Sequence, residues 1–251
     1  MAYIKRGIRR PIGQWLRSTV RQGPWNFLLL LFGIVAGSGA LYLQLAAAND
    51  WEPAIAAFEA QDRRQPPPPD QVLFVGGSSI RLWDNLATDM APVPVLKRGI
   101  SGAQLRDLLY YADRWITPYR PRAVVIYAGE NDLASWWVWP GLVEDRFQRL
   151  VKYLRQRDPT LPILMLAIKP SPRFAARLER QQEANRRLRA YCAATPDLYF
   201  VDVASPLLDA QGRMRPELYR DGLHLNGAGY AIWRAQLRPA LLTALGHHAG
   251  S

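Results

Sequence analysis

Short runs of uncharged, mostly branched or aromatic residues limit what this chain can fold into. They are Val72-Leu73-Phe74-Val75, Ala123-Val124-Val125-Ile126-Tyr127, the apolar stretch within 162–168, and Leu198-Tyr199-Phe200-Val201. Each has the length and β-branched content of a strand covered on both faces. With a further strand near 93–97, the expected strands are 71–76, 93–97, 122–128, 162–168 and 198–202. Helical patterns fill the intervals at 102–114, 141–156 and 174–194, and a last helix covers 227–245. Strands alternating with helices require right-handed crossovers, which gives a mostly parallel sheet with helices on both faces. No repeat of fixed period appears, and spacing alone leaves the strand order open.

The residues at the strand ends carry the chemistry. In an open parallel sheet, ligands bind at the carboxyl ends of the strands. The first strand ends in Gly76-Gly77-Ser78-Ser79, where glycine gives access to positive φ and a serine is set at the tip. On that stretch alone, a serine capping the next helix is an equal reading. The second strand runs into Ile100-Ser101-Gly102-Ala103-Gln104, the third into Gly129-Glu130-Asn131-Asp132, and Asp221-Gly222-Leu223-His224 precedes the final helix. A serine, a glycine turn, an asparagine and an Asp-x-x-His are the parts of an acyl-transfer site: nucleophile, base, orienting carboxylate and oxyanion donors. Asn226 is read as the cap of the last helix, and Glu130 and Asp132 as holding loop backbone.

These four stretches, in this order, resemble the conserved blocks of the SGNH hydrolases, also called GDSL esterases and lipases, across nearly all of residues 71–245. The resemblance implies a three-layer α/β/α sandwich, flavodoxin-like, around a five-stranded parallel sheet. It implies Ser78 as nucleophile, His224 as base and Asp221 as its partner. The oxyanion donors would be the backbone N–H groups of Ser78 and Gly102 and the Asn131 side chain. The departure from the pattern is Gly77, which stands where the family has the aspartate of Gly-Asp-Ser. No cofactor and no metal are expected.

Composition bounds the rest. The chain has 251 residues, 49% hydrophobic and 21% charged, enough for one sizeable core and an appendage. Its net charge of +11 is uneven: Lys5, Arg6, Arg9, Arg10, Arg17 and Arg21 precede the first apolar run, and setting them aside leaves 26 basic against 21 acidic residues. Arg177, Arg180, Arg186, Arg187 and Arg189 alternate with Glu179 and Glu183, a solvated helix face rather than a nucleic-acid stripe. The single cysteine, Cys192, excludes an intrachain disulfide and sits among helical apolar residues as a buried thiol.

Phe27 to Ala48 is about 22 residues without a charge, long enough to span a hydrocarbon core. Basic residues before it place the N-terminus in the cytoplasm and the remainder across the membrane. Ala46-Ala47-Ala48 also resembles a cleavage site, so a cleaved signal peptide is the competing reading, and both export the domain. The expected organisation is a basic segment at 1–26, an anchor at 27–48, a linker at 49–69 and the catalytic domain at 70–251. Within the linker, Asn49–Gln65 suits a short amphipathic helix and Pro66–Pro69 a stiff spacer. Trp136, Trp137 and Trp139 follow the third block and are candidates to stack on sugar rings or line an acyl channel, or to pack on the sheet or membrane. The loop Lys169–Phe174 is read as a second rim, with Arg173 as a cation for an anionic substrate. The expected activity is hydrolysis of short O-acyl esters of small molecules or glycans. The alternatives are lysophospholipase or thioesterase action on longer chains, or a non-catalytic glycan-binding or acyltransferase-partner role. The sequence does not set an oligomeric state.

Overall fold

The structure, a computed structural model, describes residues 51–249. The expected basic segment and the expected anchor lie outside them. Among the described residues no helix is long and apolar enough to cross a membrane.

In chain order the elements are α1 (Glu52–Arg64), β1 (Val72–Gly76), α2 (Ser78–Arg81), α3 (Leu86–Met90), β2 (Val95–Gly99), α4 (Leu105–Tyr110), α5 (Ala112–Trp115) and β3 (Ala123–Tyr127). They continue with α6 (Glu130–Ala134), α7 (Pro140–Arg155), β4 (Ile163–Leu166), α8 (Leu178–Ala193), β5 (Leu198–Val201) and α9 (Gly227–Ala249). All five expected strands form, and every pairing is parallel, in the order β2-β1-β3-β4-β5. The order reverses between β1 and β3, the switch point at which the carboxyl ends diverge and open a crevice.

Side chains alternate across the sheet, as the two-residue period of a strand requires. Leu73 and Val75 join Val124, Ile126, Ile163 and Met165 in one core, under Leu108, Trp115, Phe147 and Leu188 from α4, α5, α7 and α8. Val72 and Phe74 face the other way, with Val125, Leu164 and Leu166, under Ile80, Met90, Trp233 and Leu237 from α2, α3 and α9. Both sheet faces are therefore covered, giving the three layers that the near-continuous apolar strands demand.

The structure differs from four expectations. The helix expected within Asn49–Gln65 forms as α1, but it belongs to the compact unit, which runs from Trp51 rather than from about Asp70. Ile55 is fully buried in the first core. Arg114 bridges α5 to Glu59 at 2.6 Å and to Glu52 at 2.8 Å. Arg98 pairs with Asp62 while lying over the rings of Phe58 and Tyr119. The prolines at 66–69 connect α1 to β1 along this surface, lining a cleft with Leu96 and Tyr119. The helix expected at 102–114 starts only at Leu105 and breaks at Tyr111. Gly102 has φ +86°, and the Ala103 N–H bonds back to Ile100 O, so the chain turns before it can coil. The helix expected at 174–194 opens as a 3-10 turn over Pro172–Arg177, kinked at Phe174, before α8 begins. The final helix, expected to end at 245, extends to Ala249.

Candidate active site

Three sheet ends and one C-terminal loop build the site. At the tip of β1 the chain turns through Gly76, φ +132°, where a Cβ would lie 1.9 Å from the Tyr127 carbonyl oxygen, so no other residue fits. The Gly77 N–H then donates to Tyr127 O at 3.0 Å, and α2 starts at Ser78. Ser78 is 9% exposed, whereas Ser79 is sealed. The Ser79 carbonyl accepts the Tyr230 hydroxyl of α9 at 2.9 Å, and the Tyr230 ring stacks on Trp83. The nucleophile candidate is thus the first serine, braced from below through the second.

The loop before α9 carries the candidate base. The Asp221 carboxylate accepts the backbone N–H groups of Leu223 and His224 at 3.0 and 2.7 Å through Oδ1, and its Oδ2 lies 2.6 Å from His224 Nδ1. His224 Nε2 lies 3.0 Å from Ser78 Oγ. The hydrogen bond from His224, helped by the two backbone donors, holds the Asp221 carboxyl well below the usual carboxylate range. Gly222 at φ +75° makes the tip of this loop, and its carbonyl accepts the Arg173 N–H at 2.9 Å. Asn226 caps α9 as expected, its Oδ1 accepting the Gly229 N–H at 3.1 Å.

The oxyanion candidates converge on the same side. Among the described residues the N–H groups of Ser78 and Gly102 have no hydrogen-bond partner, leaving both free to donate. Asn131 Nδ2 spends one hydrogen on Ala103 O at 3.1 Å and keeps the other. A Cβ at Gly77 would come within 3.1 Å of that same nitrogen. The Asn131 amide therefore lies against the bare α-carbon at the position where the family pattern has aspartate.

Among the described residues, no group of three or more His, Cys, Asp or Glu is arranged to hold a metal ion. A nucleophile hydroxyl, a base and free donors at adjacent strand ends are suited to acyl transfer. The model of the GDSL-like lipase/acylhydrolase family matches residues 68–232.

The chain belongs to this family. Its curated relatives include the platelet-activating factor acetylhydrolase IB subunit alpha2 of Rattus norvegicus. That protein is 25% identical over 168 residues, which cover 64% of this chain and 71% of the relative. A GDSL-like lipase of Bacteroides thetaiotaomicron superposes with a TM-score of 0.63 at 22% identity, covering 76% of this chain and 98% of that one. An acetylxylan esterase of Geobacillus stearothermophilus superposes with a TM-score of 0.55 at 20% identity, covering 70% and 94%. The protein is a carboxylic ester hydrolase.

Around the site of this acylhydrolase, the supporting charges differ from expectation. Asp132 does hold loop backbone: its Oδ2 accepts the Leu105 N–H at 3.1 Å, and its Oδ1 takes Arg146 at 2.7 Å. Burial raises its carboxyl pKa, against the pull of Arg146. Glu130 does not hold backbone. It is buried, and pairs with Lys169 Nζ at 2.5 Å and the Tyr127 hydroxyl at 3.0 Å. Lys169 is fully buried, so of the cations in its loop only Arg173 is exposed to a substrate. Trp136, Trp137 and Trp139 are 87%, 46% and 61% exposed and do not pack on the sheet. The carbonyls of Trp136 and Val138 accept Arg180 of α8, and Arg146 lies 5.8 Å from the Trp137 ring. Sequence reasoning missed Arg146, and it missed Trp51, whose indole edge lies on Gly102.

Proposed function

We propose that this acylhydrolase is a serine esterase that removes short acyl groups such as acetyl from O-acyl esters through a covalent acyl-enzyme. The observation that carries the reading is the unbroken line from the Asp221 carboxylate through the His224 ring to the Ser78 hydroxyl, with spacings of 2.6 and 3.0 Å. Asp221 fixes the tautomer with the proton on Nδ1, which leaves Nε2 to accept the Ser78 proton as Oγ attacks the ester carbonyl. The oxygen that takes up the negative charge meets the N–H groups of Ser78 and Gly102 and the free hydrogen of Asn131 Nδ2. Collapse breaks the bond to the alcohol, which leaves with the proton from His224. Water, deprotonated in turn by His224, then attacks the acyl-Ser78 carbonyl and releases the acid. Two solved variants of the Geobacillus stearothermophilus esterase, called catalytic mutants, replace an aspartate and a histidine three positions apart, the spacing of Asp221 and His224.

The exposed Trp136, Trp137 and Trp139, with the exposed Arg173 whose N–H bonds to Gly222 O, are read as a substrate rim of flat apolar faces and one cation. Such a rim suits the sugar ring of an acylated glycan. Residues 27–48 anchor the chain in a membrane, 1–26 stay in the cytoplasm, and the hydrolase domain works outside it. The uncharged run and the six basic residues before it support this placement.

The test uses the full chain in detergent and p-nitrophenyl esters from acetate to laurate. Acetate and butyrate are cleaved fastest, Ser78→Ala and His224→Ala each lower kcat by about 10⁴-fold or more, and Asn131→Ala lowers it about 100- to 1000-fold. Ser78→Ala with near-normal turnover would remove the nucleophile from this reading. Rates that climb toward laurate would replace it with the longer-chain lipase.

A further inference from the structure

Gly102 donates to an oxyanion only if its peptide is held in one orientation, and glycine at φ +86° does not hold itself. Hydrogen bonds fix the loop on either side of it. Arg81 Nε donates to Ser101 Oγ at 2.6 Å, and Asn131 Nδ2 to Ala103 O at 3.1 Å. The Gln104 and Leu105 N–H groups donate to Asp107 Oδ2 and Asp132 Oδ2 at 2.8 and 3.1 Å. The α-carbon of Gly102 itself is held by something else. A Cβ built there would lie 2.8 Å from Cη2 and 3.2 Å from Cζ2 of Trp51, so the indole fills the space a side chain would take. The other end of the indole is fixed: Nε1 donates to Asp107 Oδ2 at 2.9 Å, the oxygen that also caps α4. Asp107 is 1% exposed and locked into the N-terminus of α4. The backing of Trp51 is equally firm, because α1 is pinned by Ile55, by Arg98 on Asp62 and by Arg114 on Glu52 and Glu59.

We infer that Trp51 is a positioning residue for the oxyanion hole: its ring holds the Gly102 peptide so that the N–H faces the Ser78 Oγ region. The inference rests on Gly102 acting as an oxyanion donor, as proposed above. Trp51 touches neither the nucleophile nor the base. Its removal should therefore weaken the tetrahedral state more than the bound ester, since displacement of a positioned group by about 1 Å costs about 100-fold.

The experiment measures kcat and KM on p-nitrophenyl acetate for the full chain carrying Trp51→Ala or Trp51→Phe. Rates are normalised to active sites titrated by the acyl-enzyme burst, and binding of a phenylboronic acid is measured in parallel. The expected result is a per-site kcat lowered about 10- to 100-fold in Trp51→Ala, KM within about twofold, and boronate affinity lowered in step with kcat. Trp51→Phe, which keeps a ring but loses the N–H and the outer edge, falls between. A per-site kcat at the parent value in either folded variant overturns the inference, as does a fall in titratable sites alone with normal turnover per site. If Trp51→Ala does not fold, Trp51→Phe decides by the same criteria. Ser78→Ala, run alongside, separates the two claims: if it retains turnover the esterase assignment fails, whatever Trp51 does.

Discussion

Gly77 marks where this chain departs from the family's Gly-Asp-Ser, and its bare α-carbon leaves room for the Asn131 amide. A methyl group at 77 would meet Nδ2 at 3.1 Å and push away a side chain rather than backbone. Gly77→Ala is therefore expected to cost catalysis and not folding: kcat falls about 10-fold, part of what one lost oxyanion donor costs, with the melting temperature within a degree or two. In an Asn131→Ala background the same substitution should be nearly silent. A penalty that survives there would show that the methyl does not act through the Asn131 amide. The residues legible in the sequence were those whose partners lie in the same short block, such as Asp221 and His224, three apart. Trp51 was not legible because its partner Asp107 is 56 positions away, and the burial of Lys169 was not legible because Glu130, with which it pairs, is 39 away. A buried ion pair leaves no local trace in the sequence, since each partner reads by itself as a surface charge.

At the scale of elements, four apolar runs foretold four of the five strands, because a strand covered on both faces has no other composition open to it, while β2, half-buried and carrying Lys97 and Arg98, was the less plainly marked fifth. Their order was hidden, since neighbours in the sheet need not be neighbours in the chain. β1 lies between β2 and β3, which brings Ser78, Gly102 and Asn131 to adjacent strand ends. Helix α1 was read as part of a tether because only Ile55 among its residues is fully buried, Ala54 and Phe58 pack on the core while partly exposed, and the remaining attachment is ionic. That attachment predicts a measurable outcome. Ile55→Ala should lower the unfolding free energy by about 2–5 kcal/mol, read as a shift in the urea midpoint with an unchanged slope. A change below about 0.5 kcal/mol would make α1 an accessory to the fold rather than a part of it.

At the scale of the whole molecule, the charge of +11 divides into six basic residues before the uncharged run and a remainder of 26 basic against 21 acidic, and the membrane placement proposed above predicts how the chain fractionates. The full chain should sediment with membranes, resist extraction by high salt, and expose its hydrolase domain to protease added outside the cytoplasmic membrane. A soluble product beginning near Asn49 would show that the leader is cut away, and protection from the added protease would place the domain on the other side. The distance along the chain between the proposed nucleophile and base also sets a timetable. Ser78 and His224 are 146 positions apart, and Tyr230, which braces the carbonyl beside the nucleophile, follows that carbonyl by 151. A ribosome working at about 5–20 residues per second releases the serine about 7–30 s before the histidine. Throughout that interval the nascent chain carries an ordinary alcohol, and esters in the compartment of synthesis go uncut. A transcript broken before the codon for His224 yields a chain with most of the sheet and no activity, so fragments from interrupted synthesis are inert by construction.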